Sequence, residues 1–273
     1  PMEDLGIMTF TWNASQYLKF SDQRTQPSRD LVNRLPADDG SARRLLDIGC
    51  GPGNSTAQLR ARYPGAQALG VDSSPEMIAA AREQHPDMEF QVLDANDLDS
   101  LPDDFDVAFT NACLQWVPNH RKVIPAMLRR VRPGGMAACQ FTETINQPAH
   151  TVMRELAVKA PFSDYIGGGG IRPYHHLGGS HFDVGAYYDL IAPLSKHAEV
   201  WETTYWHALK GYAGVVEWYR GTGLRPYLSQ LPTDELRRAY EQAFVDRLRA
   251  VYPLQADGTV LIPMPRFFFL AQL

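Results

Sequence analysis

The chain has 273 residues, 44% hydrophobic and 21% charged, an ordinary balance for a folded globular protein that excludes a disordered one. A net charge of −5 argues against a nucleic-acid surface, which carries a basic excess, and no apolar run approaches the roughly 20 residues that a membrane-spanning helix needs. The expected partner is a small molecule, and cytoplasm is the expected compartment, because residues 1–20 mix acids and aromatics and lack the basic stretch followed by an apolar block of a secretory signal.

Residues 1–30 read as an N-terminal cap segment, ahead of a core expected over 31–142. The first strand, Arg44 to Ile48, runs directly into Asp47-x-Gly49-x-Gly51-x-Gly53, a turn built for close approach of backbone to a nucleotide. The dinucleotide fingerprint G-x-G-x-x-G requires glycine where this chain has Asn54, and Pro52 breaks it further, so the turn points to S-adenosylmethionine rather than NAD. A helix opens at Asn54 and stops at Pro64-Gly65, and a second strand, Gln67 to Val71, ends beside Asp72. That acid lies about 20 residues beyond the glycines, where a ribose diol is expected. Ser73-Ser74-Pro75-Glu76 starts the next helix with hydroxyl caps and an early proline.

Strands follow at Met88 to Leu93, Phe105 to Asn111 and Met136 to Phe141, with a helix from His120 to Val131 between the last two. Strands alternating with helices predict a Rossmann-like, doubly wound α/β sheet of seven strands. The rhythm then changes. Thr142 to Ser180, with Gly167-Gly168-Gly169-Gly170, reads as an excursion from the core, so 143–180 is expected as a lid insertion. Phe182 to Leu194 reads as a helix and Ala198 to Leu209 as a long strand, placing a core continuation at 181–210. Helical stretches from Val215 to Arg220 and Thr233 to Val251 make 211–255 a helical cap insertion, and Phe267 to Leu270, within 256–273, should close the sheet. The cap is thus mostly helical, drawn from the N-terminus and from insertions after strands five and six.

Each part of the expected cofactor finds matching chemistry. Gly49, Cys50, Gly51 and Gly53 let backbone approach the methionine and ribose portions, and the amides opening the next helix suit oxygens. Asp47 either fixes loop amides or meets the methionine end directly. Asp72, with Ser73 beside it, is expected at the ribose hydroxyls, with helix capping as the plainer alternative. Asp94 and Ala95 stand where an acid can accept from the adenine amino group. Asn111 is expected at the methionine amine, with Gln115 and Trp116 near the sulfonium. An aromatic face there offers about 0.5–2 kcal/mol of cation–π attraction, although a tryptophan is as readily a core residue. Cys50, Cys113 and Cys139 sit at or near strand ends without metal-ligand spacing, so they read as reduced packing residues.

At the level of whole segments, the chain resembles the trans-aconitate 2-methyltransferase family from Trp12 onward. The resemblance is carried by Tyr17-Leu18-Lys19-Phe20 with Arg24, by Asp47 to Thr56, by Asn111-Ala112-Cys113-Leu114-Gln115-Trp116, and by His150 with Met153-Arg154-Glu155. It continues through Thr203-Thr204-Tyr205, Thr222-Gly223-Leu224-Arg225-Pro226, Tyr252-Pro253-Leu254-Gln255 and Pro265-Arg266. It implies a class I fold and esterification of one carboxylate of a small polycarboxylic acid by S-adenosylmethionine.

A carboxylate is ionised at neutral pH, so this reaction needs no general base, and orientation is the main task. Arginine, whose planar fork pairs two oxygens, suits the distal carboxylates. Arg225 comes first, then Arg24, Arg266 and Arg172, with Tyr17, Tyr205 and His150 as hydroxyl or imidazole partners. His175, His176 and His181 lack an acidic or cysteine partner at ligand spacing, so no metal is expected. The rival readings are a methyltransferase for another acid, such as a malonyl thioester or a specialised metabolite, and a noncatalytic protein that binds S-adenosylmethionine.

Overall fold

A computed structural model describes residues 21–167, 177 and 182–273, and the side chains of residues 21–24 lie outside that description. Seven strands form one sheet: β1 (Arg44–Ile48), β2 (Gln67–Asp72), β3 (Glu89–Val92), β4 (Phe105–Asn111), β5 (Val131–Thr142), β6 (His197–Lys210) and β7 (Thr259–Gln272). Their spatial order is β3-β2-β1-β4-β5-β7-β6, with β7 antiparallel to both neighbours and every other pair parallel. The chain order reverses at β1, so the carboxyl ends of β1 and β4 flank the switch point where ligands settle in open α/β sheets.

Side chains alternate between two buried layers, as the pleat requires. Leu45, Val107, Ala138 and Phe268 face one layer, with Leu31, Val32 and Leu35 of α1 (Ser21–Arg34) and Leu59 of α2 (Asn54–Arg62). Leu46, Ile48, Ala108 and Phe267 face the other, with Val123 and Met127 of α4 (His120–Arg129) and Tyr187 of α6 (Val184–Ile191). Helix α3 (Pro75–Gln84) covers the β2–β3 end with Ile78 and Ala81.

Three expectations need correction. The stretch expected as an excursion from the core carries α5 (Pro148–Ala157), and its Ala149, Val152, Met153 and Leu156 are buried at helical spacing. The neighbouring glycines obscured an amphipathic repeat opened by Pro148 at a helix start, where proline is tolerated. Strand five begins at Val131, not Met136, because Arg132 to Gly135 form an irregular stretch with Gly134 at φ 85°, and the register with β4 shifts between Phe105 and Val107. The closing strand is 14 residues long, not four, and runs through Pro263 and Pro265.

That length has an architectural result. β7 pairs with β5 only from Arg266 to Gln272 but with β6 from Thr259 to Gln272, so the outer half of the β6–β7 hairpin projects past the carboxyl edge of the sheet. Its Tyr205, Leu209, Val260, Ile262 and Met264 are buried. They share one cluster with α5, α7 (Gly211–Arg220) and α9 (Asp234–Leu248).

Candidate active site

The turn after β1 owes its shape to glycine at specific atoms. Gly49, Gly51 and Gly53 have φ of 71°, 53° and 94°, in the left-handed region that side chains disfavour. A Cβ on Gly49 would lie 2.2 Å from Cys113 Sγ, so the turn and the loop after β4 are in direct contact. A Cβ on Gly51 would meet nothing within 4 Å, which leaves the space over the tip of the turn open. The amides of Gly49 and Cys50 both donate to Val71 O, at 2.8 and 3.0 Å, anchoring the turn to the end of β2.

The two acids divide their work differently from the first expectation for Asp47. Asp47 is buried, and its Oδ2 accepts from Ser55 Oγ at 2.7 Å and Thr56 Oγ1 at 2.6 Å, not from loop amides. The reason is strand alternation: Asp47 shares the pleat side of Leu45, which faces α2, where those hydroxyls begin the helix. The loop amides fall to Asp72, whose Oδ2 accepts from Gly51 N at 3.0 Å and whose Oδ1 accepts from Ser74 N at 2.9 Å. Burial raises the pKa of both acids. For Asp47 burial outweighs the two hydroxyls and brings it to about 6, while for Asp72 the two amides oppose the rise.

Asp47 Oδ1 is buried with no partner among the described residues. Leaving such an oxygen unsatisfied costs about 1–3 kcal/mol, so it calls for a donor. The ammonium group of a methionine moiety is one. Together with the open space at Gly51, this orphan oxygen fits the expected cofactor.

The rest of the rim is built from short turns. Asp94 is exposed and caps the 3-10 turn Ala95–Ser100, with its Oδ1 accepting from Asn96 N at 2.8 Å, and Leu93 N donates to Asp72 O at 2.9 Å. Asn111 ends β4, and its Oδ1 accepts from Gln140 Nε2, so the side-chain carbonyl expected at a methionine amine is already engaged. Gln140 Oε1 is a second buried oxygen with no partner among the described residues. Sequence reasoning missed Gln140; the available signal was a lone amide in the apolar strand Met136 to Phe141. Ala112 follows at φ 51°, donating to Gln140 O at 3.0 Å and accepting from Gln115 Nε2 at 2.8 Å, before the 3-10 turn Leu114–Trp116. Gln115 and Trp116 are half-buried there, and Ser73 is exposed.

Among the residues expected to hold the acid, Arg266 is 7% exposed, and its Nη1 donates to Thr142 Oγ1 at 2.8 Å, where β5 ends. Tyr205 lies on the same face of the β6–β7 pair, two register steps outward. Its hydroxyl donates to Asp30 Oδ2 at 2.7 Å, and burial, followed by Asp30, raises its pKa well above the ordinary value. Tyr205 therefore anchors α1 and does not offer its proton to an anion. It lines a cleft of about 240 Å³ with Asp30, Asn33, Arg34, Trp201, Thr203 and Phe268.

His150 of α5 packs edge-on to Tyr219 at 5.7 Å, and a Cβ on Gly223 would sit 3.0 Å from its Cε1. The helix bearing His150 thus meets the turn that leads into Arg225, half-buried at the start of α8 (Arg225–Leu228). Burial, then the charge of Arg154, pushes His150 down to about 4, so its ring is neutral near pH 7. Arg154 donates to Ile145 O at 2.6 Å and Thr151 Oγ1 at 3.2 Å. The backbone of Arg24 lies in α1, but its side chain, like Tyr17, Arg172, His175, His176 and His181, lies outside the described residues. Among the described residues no histidine, cysteine and acid group could hold a metal ion.

A sheet ordered 3-2-1-4-5-7-6 with an antiparallel seventh strand, a glycine turn after β1 and an acid ending β2 together define a class I S-adenosylmethionine-dependent methyltransferase. A family model described as a methyltransferase domain matches residues 45–135. A trans-aconitate 2-methyltransferase from Rhodopseudomonas palustris (strain BisB18) is 43% identical over 261 residues, covering 95% of this chain and 98% of the relative. One from Methylobacterium nodulans is 41% identical over 264 residues, covering 96% and 98%. The chain belongs to the trans-aconitate 2-methyltransferase family. Among solved structures, the YcgJ protein of Bacillus subtilis matches with a TM-score of 0.58 at 15% identity, over 90% of this chain and 98% of that one. Geranyl diphosphate methyltransferase in complex with SAM matches with a TM-score of 0.52 at 16% identity, over 98% and 94%. These two share the fold alone.

Proposed function

We propose that the protein forms a monomethyl ester on trans-aconitate or a similar small polycarboxylate. The observation that carries this reading is the buried guanidinium of Arg266 at the carboxyl edge of the sheet, in a chain whose near-full-length relatives bear the name trans-aconitate 2-methyltransferase. Arg266 stands with Thr142 where β5 ends, and the planar fork of an arginine matches a carboxylate.

S-adenosylmethionine supplies the electrophilic methyl group. On this reading Asp47, Gly49, Cys50, Gly51 and Gly53 hold its methionine and ribose portions, and Asp72 with Ser73 holds the ribose. Asp94 and Ala95 hold the adenine, and Asn111, Gln115 and Trp116 close over the amine and the sulfur. Asp72 keeps acceptor capacity while holding Gly51 and Ser74, because an ionised carboxylate offers about four lone-pair sites. The acid arrives ionised, so the residues facing it orient and do not remove a proton. Arg225, Arg266, Arg24 and Arg172 pair with carboxylates, and Tyr17 and neutral His150 donate single hydrogen bonds. Such positioning can supply about 7–11 kcal/mol of the barrier reduction. Segments 1–30, 143–180 and 211–255 form the cap that chooses the acid, over a core of 31–142, 181–210 and 256–273. No helix among the described residues is long and apolar enough to cross a membrane, and a cytoplasmic location fits a substrate of this kind.

The test is incubation with methyl-labelled cofactor and a panel of di- and tricarboxylates that includes both aconitate isomers and malonyl thioesters. Base-labile label is expected on trans-aconitate. Binding of the cofactor without ester formation on any polycarboxylate rejects the reading.

A further inference from the structure

The loop between β4 and α4 carries Gln115 and Trp116, and its shape is not one the chain would adopt unaided. Ala112 holds a left-handed φ of 51°, a conformation that is strained for an ordinary residue and persists only where neighbouring bonds enforce it. Two of those bonds come from Gln140 and Gln115, described above. The third comes from a side chain outside the proposed binding set. His120 is fully buried, and its Nε2 lies 2.8 Å from Leu114 O while its Nδ1 lies 2.6 Å from Tyr187 Oη.

The Leu114 carbonyl favours one tautomer. A carbonyl only accepts, so Nε2 carries the hydrogen and donates to Leu114 O. On the neutral ring Nδ1 is then an acceptor, and the Tyr187 hydroxyl donates to it. Burial favours a neutral ring and pushes the His120 pKa down to about 4, against the Leu114 and Val117 backbone hydrogen bonds, which favour the charged form. Both rings are wedged against Phe141, His120 at 5.4 Å and Tyr187 at 5.6 Å between centroids, so the imidazole has little freedom to turn.

We infer that His120, oriented by Tyr187, is a positioning residue that fixes the Leu114–Trp116 turn and so pre-forms the methyl-donor side of the site. The inference rests on the reading that Gln115 and Trp116 contact the methyl donor. It explains why a polar pair is buried in the α4–α6 layer, where two apolar rings of the same size would otherwise serve.

Calorimetry with S-adenosylhomocysteine, alongside steady-state kinetics, tests it. His120→Phe keeps the ring volume and removes the donor, and it is expected to raise the Kd about tenfold while moving the KM for the acid by less than about twofold. His120→Gln, which can return a donor to Leu114 O, should recover most of the loss. Unchanged affinity in His120→Phe, or equal losses in the Phe and Gln variants, would overturn the inference. Should His120→Phe not fold, Tyr187→Phe removes the hydroxyl at Nδ1 while keeping the ring, and it is expected to weaken binding about threefold; wild-type affinity there overturns the inference as well. Gln115→Ala and Trp116→Ala separate the two readings. If both bind as wild type, the contact reading itself is wrong; if they weaken binding and the His120 and Tyr187 variants do not, only the positioning role fails.

Discussion

The Gly51 amide donates to Asp72 Oδ2 at 3.0 Å, joining the tip of the glycine turn to the end of β2. The glycine turn and the acid proposed for the ribose are thereby fixed relative to each other before any ligand arrives. The arrangement is preorganised, so perturbing the turn should damage binding in proportion to what each position touches.

Gly49 and Gly51 both require positive φ, yet only Gly49 is in contact with other atoms where a Cβ would go. Gly49→Ala is expected to lower the melting temperature sharply through its clash with Cys113. Gly51→Ala pays only the conformational cost, about 1–2 kcal/mol, and should remain folded while losing affinity for S-adenosylhomocysteine. Thermal melts without ligand and calorimetry with it check the contrast; equal melting temperatures would contradict it.

Asp47 has a folded-state pKa raised from 3.8 to about 6 by burial. Its contribution to the stability of the ligand-free protein is therefore fully present below 3.8 and is lost as pH rises through about 6. Ligand affinity runs the other way, since an ammonium group selects the ionised form. Calorimetry should show affinity for S-adenosylhomocysteine falling about tenfold per unit as pH is lowered below 6. In Asp47→Asn the profile should be flatter and the affinity at pH 8 weaker.

Arg266 and Arg225 are expected to act on the acid and not on the cofactor. Arg266→Lys keeps the charge and loses the fork, and it should raise the KM for the acid about tenfold. Arg225→Ala should do so by about 10- to 100-fold, with the Kd for S-adenosylhomocysteine within about twofold of wild type in both cases. A loss confined to cofactor affinity would remove both residues from the acid pocket.

Glu143 follows Thr142 at the rim, and burial, then the charge of Glu202, raises it from 4.5 to about 7. Its stabilising contribution is complete below 4.5 and disappears as pH rises through about 7. Glu143→Gln should thus melt close to wild type at pH 4 and above it at pH 8. The same difference at both pH values would show that the carboxyl is not desolvated.

The nucleotide half was legible because its cues are local. An apolar strand, a glycine turn and a capped helix lie within about 20 residues of one another, and the acid ending β2 follows at the spacing the ribose demands. The closing strand was legible only over Phe267 to Leu270; its outer half was not, because proline, as at Pro263 and Pro265, argues against a strand interior. The structure shows why they are tolerated. Pro265 O faces β5, accepting from Glu143 N at 3.0 Å, so the nitrogens of residues 263 and 265 point to the side where the β5 ladder has already ended. The missing N–H groups leave no rung broken. Gln140 and Thr142 escaped notice for a different reason: their value depends on Asn111 and Arg266, which come from strands distant in sequence.

The projecting hairpin belongs to both the sheet and the cap, since the same two strands hydrogen-bond in one and bury their outer halves in the other. Heating or denaturant cannot then melt the helices packed on the outer hairpin while sparing the sheet. Unfolding should be a single cooperative transition reported alike by every probe, and exchanging this cap for that of another enzyme would succeed only if the graft began and ended within β6 and β7.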